Sequence, residues 1–123
     1  MNSISPKEAF KKCQSGAIIL DVRMEYLTAY KKFDVETLIL IPYKQIESDH
    51  HSIPKNKNVI IADSTGIKSK EIYEKLWNYG YTKIFNLAGG LVEWERDGLP
   101  IIINNKKRLS GSCMCQLRTR ENK

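Results

Sequence analysis

Cysteine is scarce in this chain, with three in 123 residues. So small and odd a count does not describe a disulfide framework, and a single domain of this length can bury a core that needs none. Long hydrophobic runs are also missing. None approaches the ~20 residues that a membrane-spanning helix requires, and the N-terminal stretch lacks a secretory-signal pattern. The expected location is therefore cytoplasmic, with no membrane role. There is no internal repeat and no low-complexity segment. Nor does the body of the chain carry an excess of one charge. Residues 104–123 hold Lys106, Lys107, Arg108, Arg118, Arg120 and Lys123 against Glu121 alone, a net of +5 out of the chain's +6. The remaining +1 on residues 1–103 gives no reason to expect a nucleic-acid-binding face.

What is present is a regular alternation of strand and helix signals. Ser5-Pro6-Lys7-Glu8 is a capping box with proline at the first helical position. Ala9, Phe10 and Cys13 follow at helical spacing, with Gly16 as a stop. Ala17–Val22 reads as a buried strand, Met24–Tyr30 as a short helix, and Thr37–Ile41 as a second strand. Tyr43–Ser48 reads as a helical turn before a polar loop. Val59–Ala62 is the third clear strand. The helix at 68–79 places Ile72, Tyr73, Leu76 and Trp77 on one face. Lys83–Leu87 is a fourth strand, and Leu91–Arg96 a helix stopped by Asp97-Gly98. Strands and helices alternating at this spacing predict an α/β fold with a parallel sheet covered on both faces.

The segment richest in chemistry is Val59–Ser69, VIIADSTGIKS. An apolar strand ends in a short Ser/Thr/Gly loop that turns helical, which places the loop at the carboxyl edge of a parallel sheet, where open α/β folds bind ligands. Backbone N–H groups of Ser64, Thr65, Gly66, Ile67, Lys68 and Ser69 and the start of the following helix would form a cradle for an anion. Asp63 stands at its mouth and brings its own negative charge. Three readings are open for Asp63. Its carboxylate fills the cradle from within, like a helix cap; or the loop presents Ser64, Thr65, Lys68 and Ser69 to a protein partner or small anion; or the carboxylate is itself a nucleophile.

Taken in order, these pieces resemble the rhodanese-like domain. The match is most specific in Gly80-Tyr81, Asn86-Leu87-Ala88-Gly89-Gly90, Trp94 and Gly98-Leu99-Pro100-Ile101, with Leu20-Asp21-Val22-Arg23 at the end of the first core strand. The resemblance spans about residues 3–103 and implies an α/β/α sandwich on a five-stranded parallel sheet. It also implies that Asp63–Lys68, D-S-T-G-I-K, occupies the family's active loop, usually C-x-x-G-x-R, in which a cysteine carries a sulfane sulfur as a persulfide. On that alignment Asp63 replaces the nucleophilic cysteine and Lys68 the usual arginine, and Phe33–Thr37 stands where the family typically has GHIPG. The six-residue loop has the length of a sulfurtransferase loop; related phosphatases use one residue more. A carboxylate cannot form a persulfide, so the resemblance implies a non-catalytic binding or regulatory module.

Bland roles are expected elsewhere. Asp21 and Arg23 at the same edge read as a structural pair, Gly89-Gly90 as a tight turn, Trp94 and Trp77 as core, and Cys13 as an inert buried thiol. No cofactor and no metal is expected. The basic tail, residues 104–123, holds Cys113 and Cys115 among Arg108, Arg118 and Arg120. Neighbouring positive charge lowers a thiol's pKa. Those thiols offer an alternative, an unconventional sulfurtransferase or thiol-redox function, in which the tail could bring Cys113 or Cys115 to the loop beside Asp63. As a metal site the pair supplies only two ligands of the four that a closed zinc site needs, unless His50 and His51 join them.

Overall fold

The computed structural model describes residues 1–104. Its central sheet has five strands in the order β1-β6-β5-β2-β4, every neighbouring pair parallel. They are β1 (Ser3–Ile4), β2 (Ile18–Asp21), β4 (Leu38–Leu40), β5 (Val59–Ala62) and β6 (Ile84–Leu87). The helices are α1 (Pro6–Gln14), α2 (Glu25–Thr28), α3 (Ile46–Asp49), α4 (Lys68–Asn78) and α5 (Gly90–Arg96). A separate two-stranded sheet pairs β3 (Lys31–Phe33) antiparallel with β7 (Ile101–Ile103). Among the described residues no helix is long and apolar enough to cross a membrane.

The central strands β2 and β5 are buried at every position, as expected of a parallel sheet with helices on both faces. Alternation along each strand deals side chains to two separate cores. Leu20, Val22, Val59 and Ile61 pack with Ile46, Ile72, Tyr73 and Leu76 under α3 and α4. Ile19, Ile60 and Ala62 pack with Ala9, Cys13, Leu91 and Trp94 under α1 and α5. Ser5 caps α1, its Oγ accepting from the Glu8 N–H at 3.2 Å. Trp94 is fully buried between Phe10 and Phe33, with edge-to-face centroid distances of 5.9 and 5.1 Å. Its indole N–H donates to the Pro100 carbonyl at 2.8 Å. Cys13 is buried, and burial pushes its thiol up to about 11.

The residue pattern predicts four of the five central strands. β1 escapes it because two residues ahead of a capping box carry no periodicity, and β3 and β7 escape it because each is only three residues long and is a strand through its pairing with the other. Trp77 corrects the helix-face reading: it is 52% exposed and stacks parallel to Tyr73 at 6.5 Å. At ~100° per residue it lies one step beyond Tyr73 on the border of the stripe led by Ile72 and Leu76.

His50 and His51 stack on each other at 4.1 Å, and His50 stacks on Tyr79 at 4.0 Å. The backbone carbonyl of His50 accepts from the Tyr81 hydroxyl, and the His50 Nδ1 has no hydrogen-bond partner. Burial, then the charges of His51 and Lys55, hold the His50 imidazole below its ordinary pKa. The unfolded chain therefore binds more protons here at mildly acidic pH, so stability should fall as pH drops below the unfolded value of about 6.5. Thermal melts of wild type and His50→Phe from pH 8 to 5 check this; equal slopes for the two proteins would refute it.

Candidate functional site

The site begins where β5 runs out. Asp63 follows Ala62, which lies beside Asp21 in the sheet register, and the chain turns through Ser64–Ile67 into α4. The first N–H groups of a helix need acceptors from outside it. Ile67, at the N-cap position, supplies no side-chain acceptor. Asp63 does so from further back: one carboxylate oxygen accepts from the Gly66 N–H, and the other accepts from Lys68 N–H at 2.7 Å and Ser69 N–H at 3.3 Å. Asp63 is only 6% exposed. Three donors of the anion cradle are thus occupied by a carboxylate belonging to the loop itself.

The loop is locked from behind by α5. The Leu91 N–H donates to the Asp63 carbonyl at 2.8 Å, and the Val92 N–H to the Ser64 carbonyl at 3.0 Å. This approach needs glycine at position 90, where φ is +61° and a Cβ would lie 2.5 Å from the Asp63 carbonyl oxygen and from the Ser64 carbonyl carbon. On the other side, Ser69 Oγ hydrogen-bonds to Asn86 Oδ1, and Asn86 Nδ2 donates to Ser3 Oγ at 3.1 Å. Asn86 and Ser3 join the site only through this chain. The available signal was a lone amide in the apolar strand Ile84–Leu87, where a buried polar group demands partners.

The remaining loop residues divide by direction. Thr65 and Ile67 are exposed, Ser64 and Lys68 partly so, and Gly66 and Ser69 are buried. Lys68 joins the cradle through its backbone alone. Its ammonium lies over the Tyr43 ring at 4.5 Å and pairs with Glu71 at 3.5 Å.

Asp21 and Arg23 form a buried ion pair beside the loop. Arg23 Nε and Nη2 reach the Asp21 carboxylate at 3.0 and 2.8 Å, and the Arg23 N–H donates to the same carboxylate at 3.1 Å. Arg23 Nη2 also donates to the Lys31 carbonyl at 2.6 Å. These two residues use their hydrogen-bonding capacity inward, on each other and on β3.

As chemistry, the arrangement offers a hydrogen-bonded carboxylate in place of a free nucleophile. Among the described residues no group of three His, Cys, Asp or Glu side chains is placed to hold a metal ion. Cys113 and Cys115 lie outside the described residues. Asp63→Ala would leave three N–H groups without an acceptor and should cost about 3 kcal/mol, taking the loss of charged hydrogen bonds as the measure. Formate should restore part of the melting temperature of Asp63→Ala and leave wild type unchanged. An anion-independent variant of near-normal stability would show that the carboxylate does not hold the loop.

A family model described as Rhodanese-like domain matches residues 5–97. The chain is similar to a protein of Allochromatium vinosum named sulfurtransferase, with 38% identity over 63 residues, covering 51% of this chain and 54% of that protein. The match thus spans about half of that relative's length. It is also similar to the thiosulfate sulfurtransferase GlpE of Haemophilus influenzae, with 28% identity over 102 residues, covering 80% of this chain and 91% of that one. Among solved structures, a rhodanese-related protein from Thermoplasma volcanium superposes with a TM-score of 0.76 at 20% identity, covering 85% of this chain and 100% of that chain, a likeness of fold.

Proposed function

The chain belongs to the rhodanese-like domain family, and we propose that it is a member whose active-loop position serves binding or regulation in place of sulfur transfer. In this reading Asp63 stands where the family carries its nucleophilic cysteine, residues 1–103 form the domain and residues 104–123 its basic tail. One observation carries it. The Asp63 carboxylate takes up the Gly66, Lys68 and Ser69 N–H groups that would otherwise stabilise a sulfur anion.

The same observation ranks the possible partners. A small anion would have to displace the carboxylate from its three donors, whereas a protein needs only the surface around them. We therefore place a protein partner ahead of an anionic ligand. Lys68 supports this, since its charge is engaged with Tyr43 and Glu71 at the rim of the loop.

A second reading rests on the sulfurtransferase names of the similar proteins: Cys113 or Cys115 carries the sulfur. Intact-mass spectrometry separates the two after incubation with thiosulfate and, separately, with a persulfide donor. Our reading expects no added sulfur on wild type or on Cys113→Ser/Cys115→Ser. Gain of one sulfur by wild type and none by the double variant would establish the second reading instead.

A further inference from the structure

The central sheet has two edge strands, β1 and β4, and they differ in what they present. Strand β4 is hydrogen-bonded on one side only, to β2. In a parallel pair every second residue bonds to the neighbouring strand. Here the Thr37 carbonyl accepts from the Ile19 N–H at 3.1 Å, and the Ile41 N–H donates to the Asp21 carbonyl at 3.1 Å. Thr37, Ile39 and Ile41 therefore face β2. The N–H and C=O groups of Leu38 and Leu40 face outward, with no strand beside them among the described residues. At the other edge, Asn2 and Ile4 turn their carbonyls inward to the Asn86 and Ala88 N–H groups. That leaves a single polar residue of β1, Ser3, facing out.

The β4 edge carries few of the usual guards. Natural edge strands are blunted by lysine or another charge within the strand, whereas this one reads Leu-Ile-Leu, with Leu40 42% exposed. Its short length limits it, as does Pro42, which has no N–H to offer. Leu38 packs toward the core under α1 and α5, and Ile39 toward the core under α3 and α4. On the Ile39 side the edge borders an open groove of about 460 Å³, walled opposite by Ser48, Asp49, His51 and Ser52. Charge changes sign along the segment. Asp34 and Glu36 precede β4 and Lys44 follows it, all three exposed and none in an ion pair among the described residues.

We infer that the β4 edge is a self-association surface, occupied by β4 of a second copy running antiparallel. A two-fold axis at Ile39 sets Leu38 of each copy opposite Leu40 of the other. These are the residues whose backbone groups face outward, so both become hydrogen-bonded pairs, each exchanging its two bonds. Ile39 meets Ile39 of the second copy beside the groove. The same arrangement brings Asp34 and Glu36 of each copy toward Lys44 of the other, whereas parallel pairing would set like charges side by side. A strand this short buries little surface, so the dimer is weak. The inference is independent of what the 63–69 loop binds.

The test uses the full chain with Cys113→Ser/Cys115→Ser, which removes the tail thiols; Cys13 is buried. In sedimentation the protein should be mainly dimer at about 1 mM and mainly monomer at about 10 μM, a dissociation constant of about 100 μM. Leu40→Lys charges the edge, and Leu40→Pro removes an outward N–H while sparing the bonds to β2. Each should weaken the dimer about tenfold, and a thermal melt shows that the variant is folded; Leu40→Lys decides if the proline variant is not. Ser3→Lys, on the other edge, should change nothing. Lys44→Glu should weaken the dimer about threefold, and Glu36→Lys/Lys44→Glu should restore it. Register is read by oxidation: Ile39→Cys should form a disulfide-linked dimer faster than Leu40→Cys, because only position 39 faces itself. A monomer at about 1 mM, or a Leu40→Lys dimer as tight as the parent's, would overturn the inference. Faster cross-linking through Leu40→Cys would overturn the antiparallel register and with it the proposed pairing.

Discussion

Gly90→Ala should cost about 4 kcal/mol, a strained backbone plus a steric clash, and lower the melting temperature by roughly 15–25 °C. The site explains the size of the effect. At φ +61° an L residue is strained, and the added Cβ would meet the Asp63 carbonyl oxygen at 2.5 Å and the Ser64 carbonyl carbon at 2.5 Å. Neither is the end of a flexible side chain. Either the loop or α5 must move, breaking the Leu91-to-Asp63 and Val92-to-Ser64 bonds that hold them together. Gly98→Ala provides the control, since its φ is +78° with open space around it, and should cost only about 1 kcal/mol of backbone strain. If the two variants melt at the same temperature, the close approach of loop and helix does not stabilise the domain.

The second large effect is expected from Arg23→Met, which should destabilise the domain by about 3–5 kcal/mol by leaving a buried carboxylate unpaired. Asp21 and Arg23 have side-chain exposures of 0 and 4%. The loss extends beyond the pair, because the Lys31 carbonyl also loses its donor, one of the ties between β3 and the central sheet. Replacing both members with apolar residues should be milder than removing the arginine alone, since the isolated charge disappears. Chemical denaturation of Arg23→Met and of Asp21→Leu/Arg23→Met checks this ordering. A double variant no more stable than the single would mean that the hydrogen bonds to backbone, and not the stranded charge, set the cost.

The tiers of the fold differ in how far their residues announce them. Val59–Ala62 is apolar at each position because both faces of a central parallel strand are covered, so its boundaries can be read directly. Ser3–Ile4 cannot be read this way: it is a strand only because Asn86 and Leu87 lie beside it. The same holds for Lys31–Phe33, which pairs with Ile101–Ile103 across most of the chain. Trp77 and Trp94 look alike as apolar residues at helical spacing. One stands on the rim of its helix stripe and the other between Phe10 and Phe33, a distinction of tens of degrees of helix rotation.

By itself the sequence determined the order of strands and helices, the place of the 63–69 loop at a strand-to-helix turn, and a carboxylate where that loop begins. These are local properties, set by periodicity, capping and turn chemistry over a few residues. Only the tertiary structure decided what the carboxylate does. Asp63 meets Gly66, Lys68 and Ser69 because Gly90 lets α5 press on the loop from behind and Asn86 anchors Ser69 from β6. Such contacts depend on how distant segments pack, and no window of neighbouring residues encodes them.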